Sequence, residues 1–499
     1  MLDTVAGQEW RLCRVPQSVR RKPTSSPLLD AWEDLEESES SLGIKPGDFF
    51  LLRPDGSADT DVLAYFNSAS FRKLATDSQA SYSADLKVFL SHLERQGIDW
   101  RDATPENILD YEHWRRRDEN NLRRVEGAKF SRELAAVRRF FEWQLNRGTI
   151  SASPLTVVAV RRRDGSTGFR TELQPSNVKS VRVKWLTSRA YRRWRDVGLG
   201  GYLANGTRDP KWRGRNDGRN VAMADMLWSS GLRLREGGTL LLPELPSPTG
   251  SERYLKGKVQ KAVAKGATRE YWIARTALRG LDSYILTTHS EAIRRAQAEG
   301  RYDEIDGMLI VTKFCKRGLV EYRDARGRAG KASLEGLDAA TRQKLFTEGP
   351  GGLEPLMLWL TEAGMPMPYR TWEAVFSTAN LRCAAQGVDI HCYPHMLRHS
   401  FALRMLVTLL HAFDRRLGLT PEERREYRLI FGDPWKMVQT MLGHASITTT
   451  KAHYLEPVNG IQIEMFLNGE DDEDTSVTSI LHGIAESSPL VKDLAEGDA

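Results

Sequence analysis

The stretch from His391 to Tyr454 constrains this chain more than any other, because it combines residues that begin or end helices with a set of reactive side chains. Its two ends read HCYPHMLRHSFAL and MVQTMLGHASITTTKAHYL. Pro394 suits the first turn of a helix, where its missing N–H costs nothing. Gly443 suits the position at the end of another helix, where the backbone takes the left-handed conformation. The sequence predicts one helix from Pro394, a second that ends at Gly443, and a short third helix that begins in the run SITTT.

Two histidines, an arginine and a tyrosine give this stretch its chemistry. His395 and Arg398 lie on neighbouring turns of the first predicted helix, His444 follows the break at Gly443, and Tyr454 comes ten residues after His444. A guanidinium holds two phosphate oxygens at once, and imidazole exchanges protons near neutral pH. A phenol, whose unperturbed pKa is about 10, needs cationic neighbours to become a nucleophile. These four side chains are therefore suited to a reaction in which Tyr454 attacks a phosphodiester.

Three short motifs carry a resemblance to a known family. HMLRH, MLGH and AHYL follow the order H-x-x-R-H, L-G-H and tyrosine, and the chain here resembles the tyrosine recombinase (phage integrase) family. Each motif alone is more often ordinary surface or core, and it is the ordered combination that favours the family. The resemblance implies that Tyr454 is the nucleophile, that His395, Arg398 and His444 are catalytic, and that His399 supports them.

The spacing before the nucleophile differs from that of many family members. They have one residue fewer than the ten-residue step from His444 to Tyr454, which would select His453. Imidazole is a poor substitute, because the family's covalent bond is made to a phenol oxygen. Tyr454 is therefore the predicted nucleophile, and His453 is a neighbour that is able to tune its proton.

A second arginine comes from the segment MLWSSGLRLREGGTLL. Gly231, Arg233 and Glu236 match the family's G-x-R-x-x-E motif, in which the arginine is the first catalytic guanidinium and the glutamate supports the site. Two arginines would hold the charge of a pentavalent phosphorane from two sides. The alternative is a buried Arg233–Glu236 pair of purely structural value. Arg235 lies one position off the motif and is not assigned a role.

A lysine is expected in the segment RYLKGKVQKAVAKGATREYWIAR. Residues 252–258 and 268–274 have strand-like patterns on either side of a turn, and KGATREYWI resembles the lysine-bearing hairpin of the family. The resemblance implies that Lys265 protonates the departing 5′ oxygen. Three other lysines of this segment remain alternatives: Lys256, Lys258 and Lys261.

Helical periodicity marks a separate region over residues 62–154. Apolar residues recur at intervals of three and four in two segments, and Thr104 with Pro105 signals a helix start between them. The apolar faces are Tyr82, Leu86, Phe89 and Leu93, and then Leu134, Val137, Phe141 and Leu145, which is followed by Gly148. The order of these elements resembles the core-binding (SAM-like) domain of the family. Arg132, Arg138 and Arg139 lie off the second face and are predicted phosphate contacts, with a solvated face as the alternative.

These segments predict the following domain organisation, with residues 1–61 as a flexible N-terminal arm. The core-binding domain is followed by a basic linker over 155–184, where Arg161, Arg162 and Arg163 are predicted DNA contacts. A catalytic domain over 185–457 carries insertions near 281–365 and 410–434, to which no chemistry is assigned. Residues 458–499 are expected to form a C-terminal docking segment and an acidic tail. The predicted class is mainly α with a small β-hairpin or sheet in the catalytic domain, and the resemblance implies a two-domain, C-shaped DNA clamp.

Charge is unevenly distributed along the chain. The net charge is +6, but residues 470–499 hold nine acidic residues and one lysine, so the rest of the chain carries +14. A basic body suits a polyanion such as nucleic acid. The four cysteines lack metal-site spacing, so no metal is predicted. No signal peptide or long apolar run is present, and a cytoplasmic location without membrane contact is expected.

The sequence thus predicts a site-specific DNA recombinase, or integrase, that moves a genetic element. It would cleave and rejoin strands through a 3′-phosphotyrosyl intermediate and a free 5′-hydroxyl, without a cofactor. The resemblance implies double-stranded DNA with inverted-repeat core sites as partner. It also implies a dimer on one site, a tetramer in synapsis and an accessory directionality or bending factor. A type IB topoisomerase and a catalytically silent DNA-binding protein are the alternatives.

Overall fold

The computed structural model describes two compact units, which fall within Met1–Ser180 and Val181–Ala499. The described residues are 9–15, 45–155, 157–161, 167–171, 184–247, 250–264, 268–303, 305–411, 433–443, 447 and 450–451, with backbone alone at 157–161, 167–171, 317 and 410–411. Within these ranges no helix is long and apolar enough to cross a membrane.

The first unit is a helical bundle with two short strand pairs. Its described helices are α1 (Thr60–Asn67), α2 (Ala69–Arg72), α3 (Thr76–Arg95), α4 (Pro105–Arg116) and α5 (Gly127–Arg147). Its strands are β1 (Arg11–Arg14), β2 (Phe49–Leu52), β3 (Val157–Arg161) and β4 (Thr167–Thr171), paired antiparallel as β1–β2 and β3–β4. The second pair lies within the segment predicted as a basic linker.

Helix ends in this unit follow the sequence signals. Pro105 opens α4, and the Thr104 backbone N–H donates to Asn107 Oδ1 at 2.9 Å. Gly148 ends α5 in the left-handed conformation, with φ of 79°. The predicted Leu145 is 39% exposed, because Gln144 occupies the inward position and donates from Nε2 to the Asp61 carbonyl at 2.9 Å. The prediction that Leu145 belongs to the apolar face is wrong.

The prediction of a flexible arm over residues 1–61 is wrong for residues 9–15 and 45–61. Strands β1 and β2 pair there, and Trp10 is fully buried against α3, where its backbone N–H donates to Ser91 Oγ at 3.0 Å. Phe49 and Leu51 alternate inward from β2. The apolar run FFLL was the signal, and its partner strand lies more than thirty residues earlier in the chain.

Asp59 is the polar centre of this unit. Its carboxylate caps the N-terminus of α1 and receives hydrogen bonds from Arg53, Arg101 and the Trp100 indole. Burial raises the pKa of Asp59, but the hydrogen bonds from Arg101 and Arg53 outweigh burial and hold the pKa well below its ordinary value. A folded-state pKa below the unfolded one stabilises the fold above about pH 4, and this stabilisation is lost as the pH falls further.

Asp59→Asn is expected to destabilise α1 by about 1–3 kcal/mol at pH 7, because both guanidinium groups lose a charged acceptor. The difference from the unsubstituted protein should shrink as the pH falls below about 4, because the carboxylate of Asp59 then takes up a proton in the unfolded chain while it stays ionised in the fold. Hydrogen exchange of α1 amides measures both effects. Asp110→Asn, at an exposed position of α4, is the matched control. A difference that does not vary with pH would contradict the assignment.

The second unit contains helices around a hairpin and a larger sheet. Its described helices are α6 (Ser188–Trp194), α7 (Asp217–Ser230), α8 (Leu234–Gly238), α9 (Arg275–Tyr284), α10 (Ser290–Ala298), α11 (Ala339–Arg342), α12 (Thr371–Ala385), α13 (Pro394–His411) and α14 (Pro434–Leu442). π-helical turns Arg195–Leu199 and Ile285–His289 continue α6 and α9. The hairpin is β5 (Tyr254–Val259) with β6 (Arg269–Ala274). Helix α7 is central and contacts α9, α13 and β6.

The segment predicted as an insertion forms a five-stranded sheet. Its strands are β7 (Leu309–Phe314), β8 (Leu319–Asp324), β9 (Ala329–Ser333), β10 (Leu345–Gly349) and β11 (Gly352–Pro355), in the order β11-β10-β7-β8-β9. Only the β7–β10 pair is parallel among them. Within the insertion, the segment LDAATRQKLF forms only the single helical turn α11, which is followed by β10. The mainly α class with a β-hairpin is confirmed, and the insertion adds this sheet.

Candidate active site

The first site arginine is placed by the end of α7. Gly231 ends the helix with φ of 63°, and a Cβ at this position would come within 2.3 Å of Phe401 Cδ1. Only glycine combines this conformation with so close an approach. The chain then turns through buried Leu232, and Arg233 takes the N-cap position of α8.

Glu236 holds Arg233 at two points. The Arg233 backbone N–H donates to Oε2 and its Nη1 donates to Oε1, both at 2.8 Å. Glu236 is 1% exposed, and Arg269 Nη2 from β6 donates to its Oε2 at 2.5 Å. Burial raises the pKa of Glu236, but the charges of Arg269, Arg398 and Arg233 outweigh it and hold the pKa below its ordinary value. The carboxylate is therefore ionised and fixes both neighbouring guanidinium groups.

Arg398 comes from the first turns of α13, which begins at Pro394 as predicted. Its side chain is 1% exposed. Nη1 donates to the Gly231 carbonyl at 2.6 Å, and Nη2 donates to the Leu442 carbonyl. Arg398 thus links the end of α7 to the end of α14.

Three arginines converge on the C-terminus of α14, which ends at Gly443 with φ of 64°. Arg269 Nη1 contacts the Met441 carbonyl at 2.8 Å, Arg398 the Leu442 carbonyl, and Arg233 Nη2 the Gly443 carbonyl at 3.5 Å. The last carbonyls of a helix lack intrahelical partners and favour cations. Three motifs that are distant in sequence therefore meet directly before position 444.

Two histidines lie one turn apart on α13. The rings of His395 and His399 are 4.4 Å apart between centroids and nearly perpendicular. His395 is exposed, whereas His399 is 6% exposed. Both are on the helix that carries Arg398, so Arg233, Glu236 and Arg398 form one cluster beside this histidine pair. Lys265, His444, His453 and Tyr454 lie outside the described residues.

Comparison with known proteins adds two sequence matches. Residues 66–148 match the family model for the phage integrase N-terminal SAM-like domain. Over 137 residues the chain is 28% identical to tyrosine recombinase XerD of Mycobacterium leprae (strain TN). These residues make up 27% of this chain and 35% of that protein. In these residues the chain is similar to the tyrosine recombinase (phage integrase) family. The match spans about a third of the length of this curated relative.

Solved structures of two proteins are similar to this chain at low identity. XerH site-specific recombinase, bound to palindromic difH substrate in a post-cleavage complex, is 11% identical, with a TM-score of 0.43 over 91% of this chain and 100% of that chain. The Tn1549 transposon integrase, in complex with circular intermediate DNA, is 12% identical, with a TM-score of 0.39 over 76% of this chain and 90% of that chain. Neither TM-score reaches 0.5.

The lysine hairpin expected from the family is present as β5 and β6, within two residues of the predicted strands. Two of the alternative lysines have carboxylate partners: Lys256 pairs with Glu270 at 2.6 Å, and Lys258 pairs with Glu335 at 2.8 Å. Lys261 is exposed in the turn. The assignment of Lys265 as the general acid stays a prediction.

Arg269 is the site residue that sequence reasoning missed. It is largely buried, with side-chain exposure of 9%, and it joins Glu236 to the end of α14. Burial lowers the pKa of Arg269, while the Glu236 charge opposes this change. The arginine of the string KGATR was the available signal. Its partner, Glu236, is known only from the fold.

The predicted DNA contacts on α5 have partners within the bundle. Arg132 Nε donates to Asp85 Oδ2 at 2.8 Å, Arg138 pairs with Glu142 at 3.5 Å, and Arg139 Nη2 donates to the Ser70 carbonyl at 2.8 Å. Arg132 still exposes 46% of its side chain. Arg161 is described by its backbone in β3, and Arg162 and Arg163 lie outside the described residues. The role of this set in DNA binding stays a prediction.

Among the side chains that the structure describes, no group of three or more His, Cys, Asp or Glu is arranged to hold a metal ion.

Proposed function

We propose that this protein is a site-specific DNA recombinase that cleaves and rejoins strands through a 3′-phosphotyrosyl bond to Tyr454 and a free 5′-hydroxyl. The observation that carries this proposal is the convergence of Arg233, Arg269 and Arg398 on the last three residues before His444. If the Arg233–Glu236 pair were purely structural, Arg269 and Arg398 would not be required at the same place.

The cluster supports transition-state stabilisation. Arg233 keeps 24% of its side chain exposed while Glu236 fixes its orientation, so its guanidinium is accessible to a phosphate oxygen. Arg398 adds a buried, fixed positive charge, which acts without reorganisation as negative charge develops on the phosphorane. His395 and His444 would supply protons and hydrogen bonds, and Lys265 would protonate the leaving 5′ oxygen. The phosphotyrosyl ester keeps the bond energy, so no cofactor is required.

We propose double-stranded DNA with inverted-repeat core sites as the substrate. The SAM-like domain over residues 66–148 and the charge of +14 on residues 1–469 support a nucleic-acid partner. By analogy with the family, the protein would act as a dimer on one site and as a tetramer in synapsis. The same analogy supports an accessory directionality or bending factor and a role in moving a genetic element.

The test uses duplexes that tile the DNA flanking the gene, each with a nick near a candidate cleavage point. The nick lets a short fragment escape, so a working nucleophile stays covalently attached to DNA. We expect an adduct that peptide mapping locates at Tyr454, and no adduct with Tyr454→Phe, although this variant should still bind DNA. His453→Ala is the matched control and should retain the adduct.

Specific binding without any adduct would indicate a catalytically silent DNA-binding protein. An adduct at His453 that persists in Tyr454→Phe would overturn the assignment of Tyr454 as the nucleophile. Relaxation of supercoiled DNA by a monomer, with no joining of two sites, would favour a type IB topoisomerase.

A further inference from the structure

One contact of the inserted sheet with the rest of the second unit is made by the turn Leu334–Gly336, which follows β9. This turn forms a single 3-10 turn, with Leu334 buried and Glu335 partly exposed. The chain then continues into α11, which carries Arg342. These few residues contact both the segment that follows α8 and the β5–β6 hairpin.

Arg342 anchors the turn to the residues that follow α8. It is fully buried, and all five of its N–H donors have acceptors. Two bind Glu244, one binds the Thr239 carbonyl, and two bind the carbonyls of Leu334 and Leu337, at distances of 2.6 to 3.2 Å. The position of the turn is therefore fixed relative to α8, the helix that Arg233 caps.

Glu335 extends from this fixed turn to the hairpin. Its carboxylate pairs with Lys258 Nζ of β5 at 2.8 Å, and its carbonyl accepts from the Ala262 backbone N–H at 2.9 Å. On the other side, Arg235 Nη2 of α8 donates to the Ala262 carbonyl at 2.7 Å. The hairpin turn is thus held from both sides, by the insertion and by α8.

A cleft of about 670 Å³ adjoins this contact. Hairpin residues Lys256 and Thr268 line one side of the cleft, and Gly318 and Leu334 of the insertion line the other. The insertion and the hairpin therefore face each other across open space beside this contact. The contact that Glu335 makes with the hairpin is local.

We propose that Glu335 is a positioning residue, through which the inserted sheet braces the hairpin turn that presents the general-acid lysine. The inference rests on the proposed function, in which that lysine is Lys265. Lys265 comes three positions after Ala262 in the chain. Holding Ala262 therefore acts on the chain shortly before that lysine.

The test compares Glu335→Gln and Glu335→Lys with the unsubstituted full-length protein. The Ala262–Glu335 backbone bond remains in both variants, so the change reports on the ion pair. Glu321→Gln is the matched control, because it removes an ion pair with Lys331 that lies wholly within the sheet. Hydrogen exchange of residues 254–274 should accelerate by about fivefold in Glu335→Lys and less in Glu335→Gln. It should not change in the control.

A leaving-group substitution separates positioning of the acid from a general structural effect. A nicked substrate with sulfur in place of the bridging 5′ oxygen leaves as a thiolate, which needs a proton far less than an alkoxide does. We expect the Glu335 variants to cleave the oxygen substrate about five- to tenfold more slowly, and the sulfur substrate at the unsubstituted rate.

Equal slowing on both substrates, or no slowing on either, would overturn the proposal. Unchanged hydrogen exchange would also overturn it, because the brace would then not hold the turn. Failure of the unsubstituted protein to form any adduct would instead count against the proposed function. Hydrogen exchange still decides the brace in that case, since it needs no DNA.

Discussion

Arg233→Ala is expected to slow formation of the covalent adduct by about 10² or more, while DNA affinity changes by no more than a few-fold. Removing one donor to a developing oxyanion typically costs this much, whereas binding is spread over many phosphate contacts. Arg233 suits the experiment because Arg269 still pairs with Glu236 when Arg233 is removed. The fold around the buried carboxylate should therefore persist.

Single-turnover cleavage of a nicked duplex and a titration of binding on the same duplex measure the two effects. Arg275→Ala is the matched control: this arginine is also partly exposed, and it donates to Glu252 and to the Gly250 carbonyl, away from the cluster. Cleavage and binding that fall by the same factor in Arg233→Ala would show that Arg233 positions DNA instead of stabilising the transition state.

Arg398→Ala is expected to cause a similar loss of cleavage, but it tests the same chemistry less specifically than Arg233→Ala does. Its side chain is 1% exposed and holds the carbonyls of Gly231 and Leu442. Truncation would leave these groups without a donor and would open a cavity, so stability would fall together with catalysis. Arg398→Lys retains the charge but loses the fork geometry. The lysine variant therefore tests geometry with less damage to the fold.

Local signals predicted the boundaries that place the site. Pro394 opens α13, and Gly443 ends α14 in the left-handed conformation. Each signal acts within one or two turns of helix, so sequence alone carries it. The motif around Arg233 and Glu236 likewise forms within a single turn.

Long-range pairings could not be predicted in the same way. Arg269 reaches Glu236 and the Met441 carbonyl, across 33 and 172 positions of the chain. Strand β7 pairs in parallel with β10, with a hairpin and a helical turn between them. Strand pairing is set by neighbours on the sheet and by burial, which are properties of the folded chain. The arginine cluster and the sheet are therefore visible only in the structure.

Arg342→Met is expected to destabilise the inserted sheet by about 3–5 kcal/mol. The substitution leaves the Glu244 carboxylate buried without its cation, and three carbonyls lose their donors. Hydrogen exchange of residues 309–355 in the full-length protein measures the local free energy of unfolding. Arg328→Met, whose side chain is 72% exposed and pairs with Asp324, is the matched control and should change little.

A second substitution separates the loss of charge pairing from the loss of packing. Glu244→Gln in the Arg342→Met background removes the unpaired charge and keeps an acceptor for the Leu241 backbone N–H. It should recover roughly half of the lost stability. No recovery would mean that packing and carbonyl contacts account for the effect. Loss of protection confined to residues 309–355 would identify the sheet as a separately folding addition. Loss that spreads to the hairpin at 254–274 is the result expected if Arg342 holds the turn from which Glu335 contacts Lys258.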